Sequence, residues 1–181
     1  MMMQERFRAA RTLLASLLLY ALLSSGVSAA PLTAADVQSL RSDIASMTAA
    51  FERGDAEPLI ARTHPSLKAM AGGPDAFAEL TRHALAQLRD IGISFVSQEV
   101  GMPTEVYQAG EEEVCFVPRV SVMAVNGTQM KSTTFMIAIR SKGGTTWTYL
   151  DGAGLRKNPE MIYQLLPGLA RDVPLPPNTL E

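Results

Sequence analysis

The sequence predicts an α+β domain, with N-terminal amphipathic helices packed on a curved antiparallel β-meander and a short C-terminal helix. Three observations carry that prediction. Apolar residues recur at spacings of three and four as far as Ile91. From Ile93 onward the period changes to two. Asn126-Gly127 and Gly143-Gly144 then divide the back half at hairpin positions.

The first thirty residues stand apart from that plan. Arg6, Arg8 and Arg11 form a basic start, Leu13 to Leu23 an apolar run, and Val27-Ser28-Ala29 the small residues of a cleavage site. Residues 1–29 are therefore expected to be a signal peptide, and the mature protein to be periplasmic or secreted. The apolar run is shorter than the roughly 20 residues of a membrane span, and no second run follows. The chain carries 16 basic and 18 acidic side chains. Without Glu5 and the three arginines, 13 and 17 remain, a net of −4. A mildly acidic chain with no basic cluster argues against nucleic acid as a partner. Cys115 is the single cysteine, which excludes an internal disulfide and a cysteine-based zinc site.

Thr33 and Asp36 have the spacing of a capping box. Val37, Leu40, Ile44, Met47 and Phe51 follow on one helical face, and Gly54 stops the helix. Asp55 can cap a second, short helix through about Thr63. His64 precedes Pro65 and is pushed toward extended backbone. Gly72-Gly73-Pro74-Asp75 breaks the chain and opens another helix with Phe77, Leu80, Ala84, Leu88 and Ile91 as its stripe.

A two-residue loop at Asn126-Gly127 fixes a register: Val125 faces Thr128, Met123 faces Met130, Val117 faces Met136, and Glu113 faces Arg140. The turn at Gly143-Gly144 sets Arg140 opposite Trp147, Ala138 opposite Tyr149, and Met136 opposite Asp151. Ala109-Gly110 offers a third turn. Pro118 cannot donate to a ladder and marks an edge or a bulge. These registers give one apolar face (Val114, Phe116, Val120, Val122, Phe135, Ile137, Ile139, Leu150), expected to receive the helices. The other face is mixed, with Cys115, Arg119, Met136, Trp147, Tyr149 and Asp151. Asn158-Pro159-Glu160 opens a last short helix through Leu166, and a proline-rich tail follows.

The helix running into FERGDAEPLIARTHPSL, residues 51–67, and the final strand GTTWTYLDGAGL resemble the nuclear transport factor 2-like (SnoaL-like, cystatin-like) superfamily. The resemblance spans residues 33–155, leaving residues 156–181 as a C-terminal helix and tail. It implies a cone-shaped half-barrel, often with a pocket inside and often dimeric through the sheet. Its members include isomerases, dehydratases, hydrolases and plain binding domains, so the fold alone selects no reaction. Neither the isomerase pattern of a tyrosine with paired acids nor the dehydratase histidine–aspartate pair is matched here.

Two functions remain open. The first is a non-catalytic binding or dimerisation module with a small apolar pocket, using the mixed face for a homodimer and Arg119, Trp147 and Met136 for a ligand. The second is an acid–base enzyme acting on a small hydrophobic substrate through Asp151, Tyr149 and His64, with Arg119 holding an anionic group. Against the second, Asp151-Gly152 reads first as a common turn pair, and His64 first as a hydrogen-bonded connector. Gly152 and Gly154 lack the third glycine of a dinucleotide loop. Cys115 is expected to be a buried, inert thiol. Met123, Met130 and Met136 are expected to pack rather than bind copper. No cofactor and no metal is called for. Arg140 is expected to bridge Glu113 and stack on Trp147.

Overall fold

The computed structural model describes residues 32–181. The expected signal peptide lies outside the described residues. Helix α1 (Ala34–Arg53) starts at a complete capping box: Thr33 Oγ1 accepts from the Asp36 amide at 3.1 Å, and Asp36 accepts from the Thr33 amide at 3.2 Å. It ends at Gly54 with φ of 72°, a left-handed conformation that glycine adopts without strain. Helix α2 (Glu57–Arg62) follows, with Asp55 accepting from the Glu57 amide at 3.2 Å. His64 is extended before Pro65, as expected, yet that proline opens a helix the periodicity did not announce, α3 (Pro65–Met70). Helix α4 (Pro74–Asp90) buries Ala78 and Leu85. Its expected stripe is rotated, for Leu80 and Ile91 are exposed. No helix among the described residues is long and apolar enough to cross a membrane.

Six antiparallel strands form an open sheet: β1 (Ser94–Val100), β2 (Tyr107–Ala109), β3 (Glu112–Val125), β4 (Thr128–Ser141), β5 (Thr148–Asp151) and β6 (Thr179–Leu180). The order is β1-β3-β4-β5; β2 pairs with β3, and β6 pairs with β4. The β3–β4 register is the one that the two-residue turn dictates, from Val125↔Thr128 to Glu112↔Ser141. Asn126 and Gly127 both have positive φ, 50° and 80°. Such a pair suits the right-handed twist of the strands. The β4–β5 register likewise pairs Met136 with Asp151 and Ala138 with Tyr149. Pro118 interrupts nothing on the β4 side. Its carbonyl accepts from Gly101 just past the end of β1, so its missing donor lies where that ladder stops. The bulge is instead in β1, between Phe95 and Ser97.

The sheet carries two cores, and they invert the expected packing. Of the N-terminal helices, the apolar face receives only Leu67 of α3. Val114, Phe116, Phe135, Ile137, Ile139 and Leu150 are covered by the C-terminal segment through Leu155, Ile162, Leu165, Leu166, Leu169 and Val173. A 3₁₀ turn (Pro159–Met161) and helix α5 (Ile162–Leu165) shape that segment. Helix α1 lies on the mixed face, where Leu40, Ile44 and Met47 meet Cys115, Val117, Met136, Ala138, Trp147 and Tyr149. The physical reason is local. The chain leaves β5 carrying enough closely spaced apolar side chains to fill the nearer face. The mixed face is apolar at its Cys115–Trp147 end, which suits the α1 stripe. The tail is tied down to its end: Lys131 and Glu181 exchange two backbone hydrogen bonds at 2.8 and 2.9 Å.

Candidate functional site

Between the helices and the other end of the mixed face lies a cavity of about 440 Å³. That is the size range of small-molecule sites, roughly 300–1,000 Å³. Helix α1 contributes Ile44, Met47, Thr48 and Phe51 to its wall. Helices α2, α3 and α4 add Leu59, Leu67 and Phe77. The sheet contributes Phe95, Gln98, Arg119, Ser121, Met123, Ser132, Met136, Tyr149 and Asp151. The β1 bulge has a direct role here. Three positions apart, Phe95 and Gln98 would point to opposite faces of a regular strand. The extra residue, Val96, turns out to solvent, and Phe95 and Gln98 both face the cavity. Phe95 then meets Phe51 edge-to-face at 5.5 Å, and Thr48 donates to Gln98 at 3.2 Å.

The charged groups at the cavity hold one another. Arg119 Nη2 donates to Asp151 Oδ2 at 2.8 Å. The other oxygen of Asp151 accepts from the Ala153 amide at 2.9 Å. Asp151 is thus both the cap of the turn after β5 (the 3₁₀ segment Gly152–Leu155) and an ion-pair partner. Tyr149 points its hydroxyl at Asp43 of α1, at 2.8 Å. Asp43 also accepts from Arg62 of α2. Burial, then the hydrogen bond to Asp43 and that carboxylate's charge, push the Tyr149 hydroxyl far above the usual phenol range. It is a neutral donor, not a base. Arg156 Nη2 donates to Ser132 at 2.9 Å.

The residues nominated from the sequence therefore divide. Asp151, Tyr149, Arg119 and Met136 line one cavity. His64 does not. It is buried beside it, its Nδ1 accepting from the Ser66 amide at 3.3 Å and its Nε2 donating to Glu112 Oε1 at 2.9 Å. Its own amide donates to the Tyr149 carbonyl at 3.0 Å. Those bonds make it the connector between α2, α3 and the sheet. Trp147 also lies outside the cavity, buried against α1 under Arg140, whose guanidinium sits 4.4 Å from the ring centroid. Arg140 donates to Glu113 at 2.7 Å, as its register predicts, and to Asp36 at 2.6 Å, which no sequence pattern indicated. Cys115 is fully buried and its thiol is pushed up to about 12 by burial. No cluster of three or more His, Cys, Asp or Glu side chains suited to a metal occurs among the described residues.

Asp43, Arg62 and Arg156 escaped the sequence reading. Asp43 flanks the apolar stripe of α1 and Arg62 closes α2, and only the packing of α1 against β5 brings them to Tyr149. Arg156 follows the DGAGL turn, with no spacing that ties it to Ser132. No known family model matches the chain, and no curated protein or solved structure matches it.

Proposed function

We propose that this protein is an exported, non-catalytic module that holds a small apolar molecule in the cavity beneath α1–α4, in a domain of the nuclear transport factor 2-like kind. The observation that carries the reading is the cavity itself. Its wall is mainly apolar, from Ile44, Met47, Phe51, Phe77, Phe95 and Met136 among others, and the Asp151 carboxylate and the Tyr149 hydroxyl at its sheet end are already engaged by Arg119 and Asp43. A general base needs a free lone pair in reach of substrate. Each Asp151 oxygen accepts one hydrogen bond and keeps a second lone pair, but the carboxylate is held in place by Arg119 and the Ala153 amide, and Tyr149 has committed its proton to Asp43. Support for export is the basic, apolar and small-residue order of residues 1–29. Support for the family is the run of helices followed by the antiparallel sheet with the cavity between them; the cone-shaped closure belongs to this proposal. Native mass spectrometry of protein purified from its source tests the reading. A retained small molecule of low polarity is expected. A protein that takes up no apolar probe in solution either would count decisively against it.

The enzyme reading keeps one observation in its favour: Arg119, Tyr149 and Asp151 converge on a single concavity. Asp151→Asn separates the two. Turnover lost at unchanged stability would favour catalysis, whereas a lowered melting temperature supports the turn and ion-pair role. Self-association through the sheet is proposed at the outer edge of β1, because both faces are covered by the chain itself. Light scattering of the purified protein tests it, with a strictly monomeric mass as the contrary result.

A further inference from the structure

The charges at the sheet end of the cavity do not cancel. Arg119 and Arg156 are both in its wall, and Asp151 is the one carboxylate there among the described residues. Asp151 is already spent on Arg119 and on the Ala153 amide. Arg156 has a hydroxyl partner, Ser132, and no carboxylate within ion-pair distance among the described residues. Two cations facing one anion leave this end short of a single negative charge. The hydrogen-bond tally points the same way. The Nε–H groups of both Arg119 and Arg156 are buried without an acceptor among the described residues. Neither Nε atom faces the cavity, so these unmet donors add to the local excess of donors, and a head group in the cavity would meet the outer nitrogens of the two guanidiniums.

Charge is confined to one end of the cavity, and Thr48 and Gln98, the polar groups among the apolar residues of α1 and β1, bond to each other. The arginines and Ser132 come from the middle of β3 and β4 and from the turn after β5, while Met47, Phe51, Phe77 and Phe95 form the helix side and the β1 end. Such a wall is complementary to a molecule with one charged end and one apolar end.

We infer that the cavity takes a monoanionic amphiphile, a carboxylate on a medium-length apolar chain. Its head is held between Arg156 and Arg119, and its tail lies among Met47, Phe51, Phe77 and Phe95. This deepens the binding reading above and rests on it. A planar carboxylate matches the guanidinium fork, and charge-assisted bonds of this type are about twice as strong as neutral ones. Ser132, in the wall beside it, accepts from Arg156 Nη2 and so orients the guanidinium as a positioning residue.

Binding of decanoate, decanol and methyl decanoate to the purified protein, measured by calorimetric titration, tests the inference. Decanoate is expected to bind at least about tenfold more tightly than either neutral analogue, the gain of a charge-assisted contact. Arg156→Met is expected to erase that preference, bringing decanoate affinity to within about twofold of decanol affinity in the same variant, and Arg156→Lys to keep part of it. Equal affinity for the acid, the alcohol and the ester in the unaltered protein would overturn the anionic head while leaving the apolar pocket standing. Failure of all three to bind would overturn the pocket as well. The comparison within the unaltered protein does not depend on whether either variant folds.

Discussion

At the scale of single residues, the informative groups are those whose protons or charges are already committed. Tyr149 is held neutral by burial and by Asp43. Its folded pKa is raised, so its contribution to stability is complete below the ordinary phenol value of 10.0 and is lost as pH rises beyond it. Tyr149→Phe is expected to cost about 1–2 kcal/mol at neutral pH, by denaturant titration, because Asp43 loses a donor. The cost should shrink in alkaline solution. Cys115, with its thiol pushed up to about 12, should resist thiol reagents at neutral pH until the protein unfolds. The sequence showed Cys115 as a small apolar side chain in a strand, and that reading needs no partner. It could not show Tyr149's neutrality, because the partner that enforces it sits 106 positions away on another element.

At the scale of elements, Arg140 joins helix to sheet. It ties the first turn of α1, through Asp36, to β3, through Glu113, over the face of Trp147. Burial alone would raise the Asp36 carboxyl, but the Thr33 hydroxyl and amide and the Arg140 charge outweigh it and hold the group below its usual value. A depressed carboxylate pKa contributes stability above the unfolded value of 3.8, and that stability is lost as pH falls below it. Asp36→Asn should therefore flatten the acid limb of the stability curve below about pH 4. Arg140→Met should cost about 3 kcal/mol at neutral pH, because two half-buried carboxylates lose their cation. The Glu113 and Trp147 contacts were legible, since hairpin register places residues across a ladder. The Asp36 contact was not, for no periodicity says where a helix lands on a sheet.

At the scale of the whole molecule, the chain covers both faces of one sheet with its own two ends. Strand alternation separated the two faces correctly, but it does not say which cover belongs to which face. The last 26 residues read as an appendage because Pro167, Pro174, Pro176 and Pro177 break any regular element. Yet Ile162, Leu165, Leu166 and Leu169 between and before them are nearly or fully buried. Leu166→Ala should destabilise by about 3 kcal/mol, as for a core leucine, where an appendage would show almost nothing. Gly168 packs so closely on Ala109 and Gly110 that a Cβ would lie 2.6 Å from their backbone. Gly168→Ala should accordingly lift the segment from β2 and lower the melting temperature, whereas Gly154→Ala, with open space around it, should not.

The cavity is what this two-sided covering leaves behind, and its methionines allow it to be watched directly. Met47, Met123 and Met136 line it, and Met102 is exposed elsewhere. Methyl NMR of methionine-labelled protein titrated with decanol is the most direct measurement. Saturable shifts at Met47, Met123 and Met136, with Met102 unmoved, are expected. No saturable shift at those three, or shifts confined to Met102, would contradict a ligand cavity between the helices and the sheet.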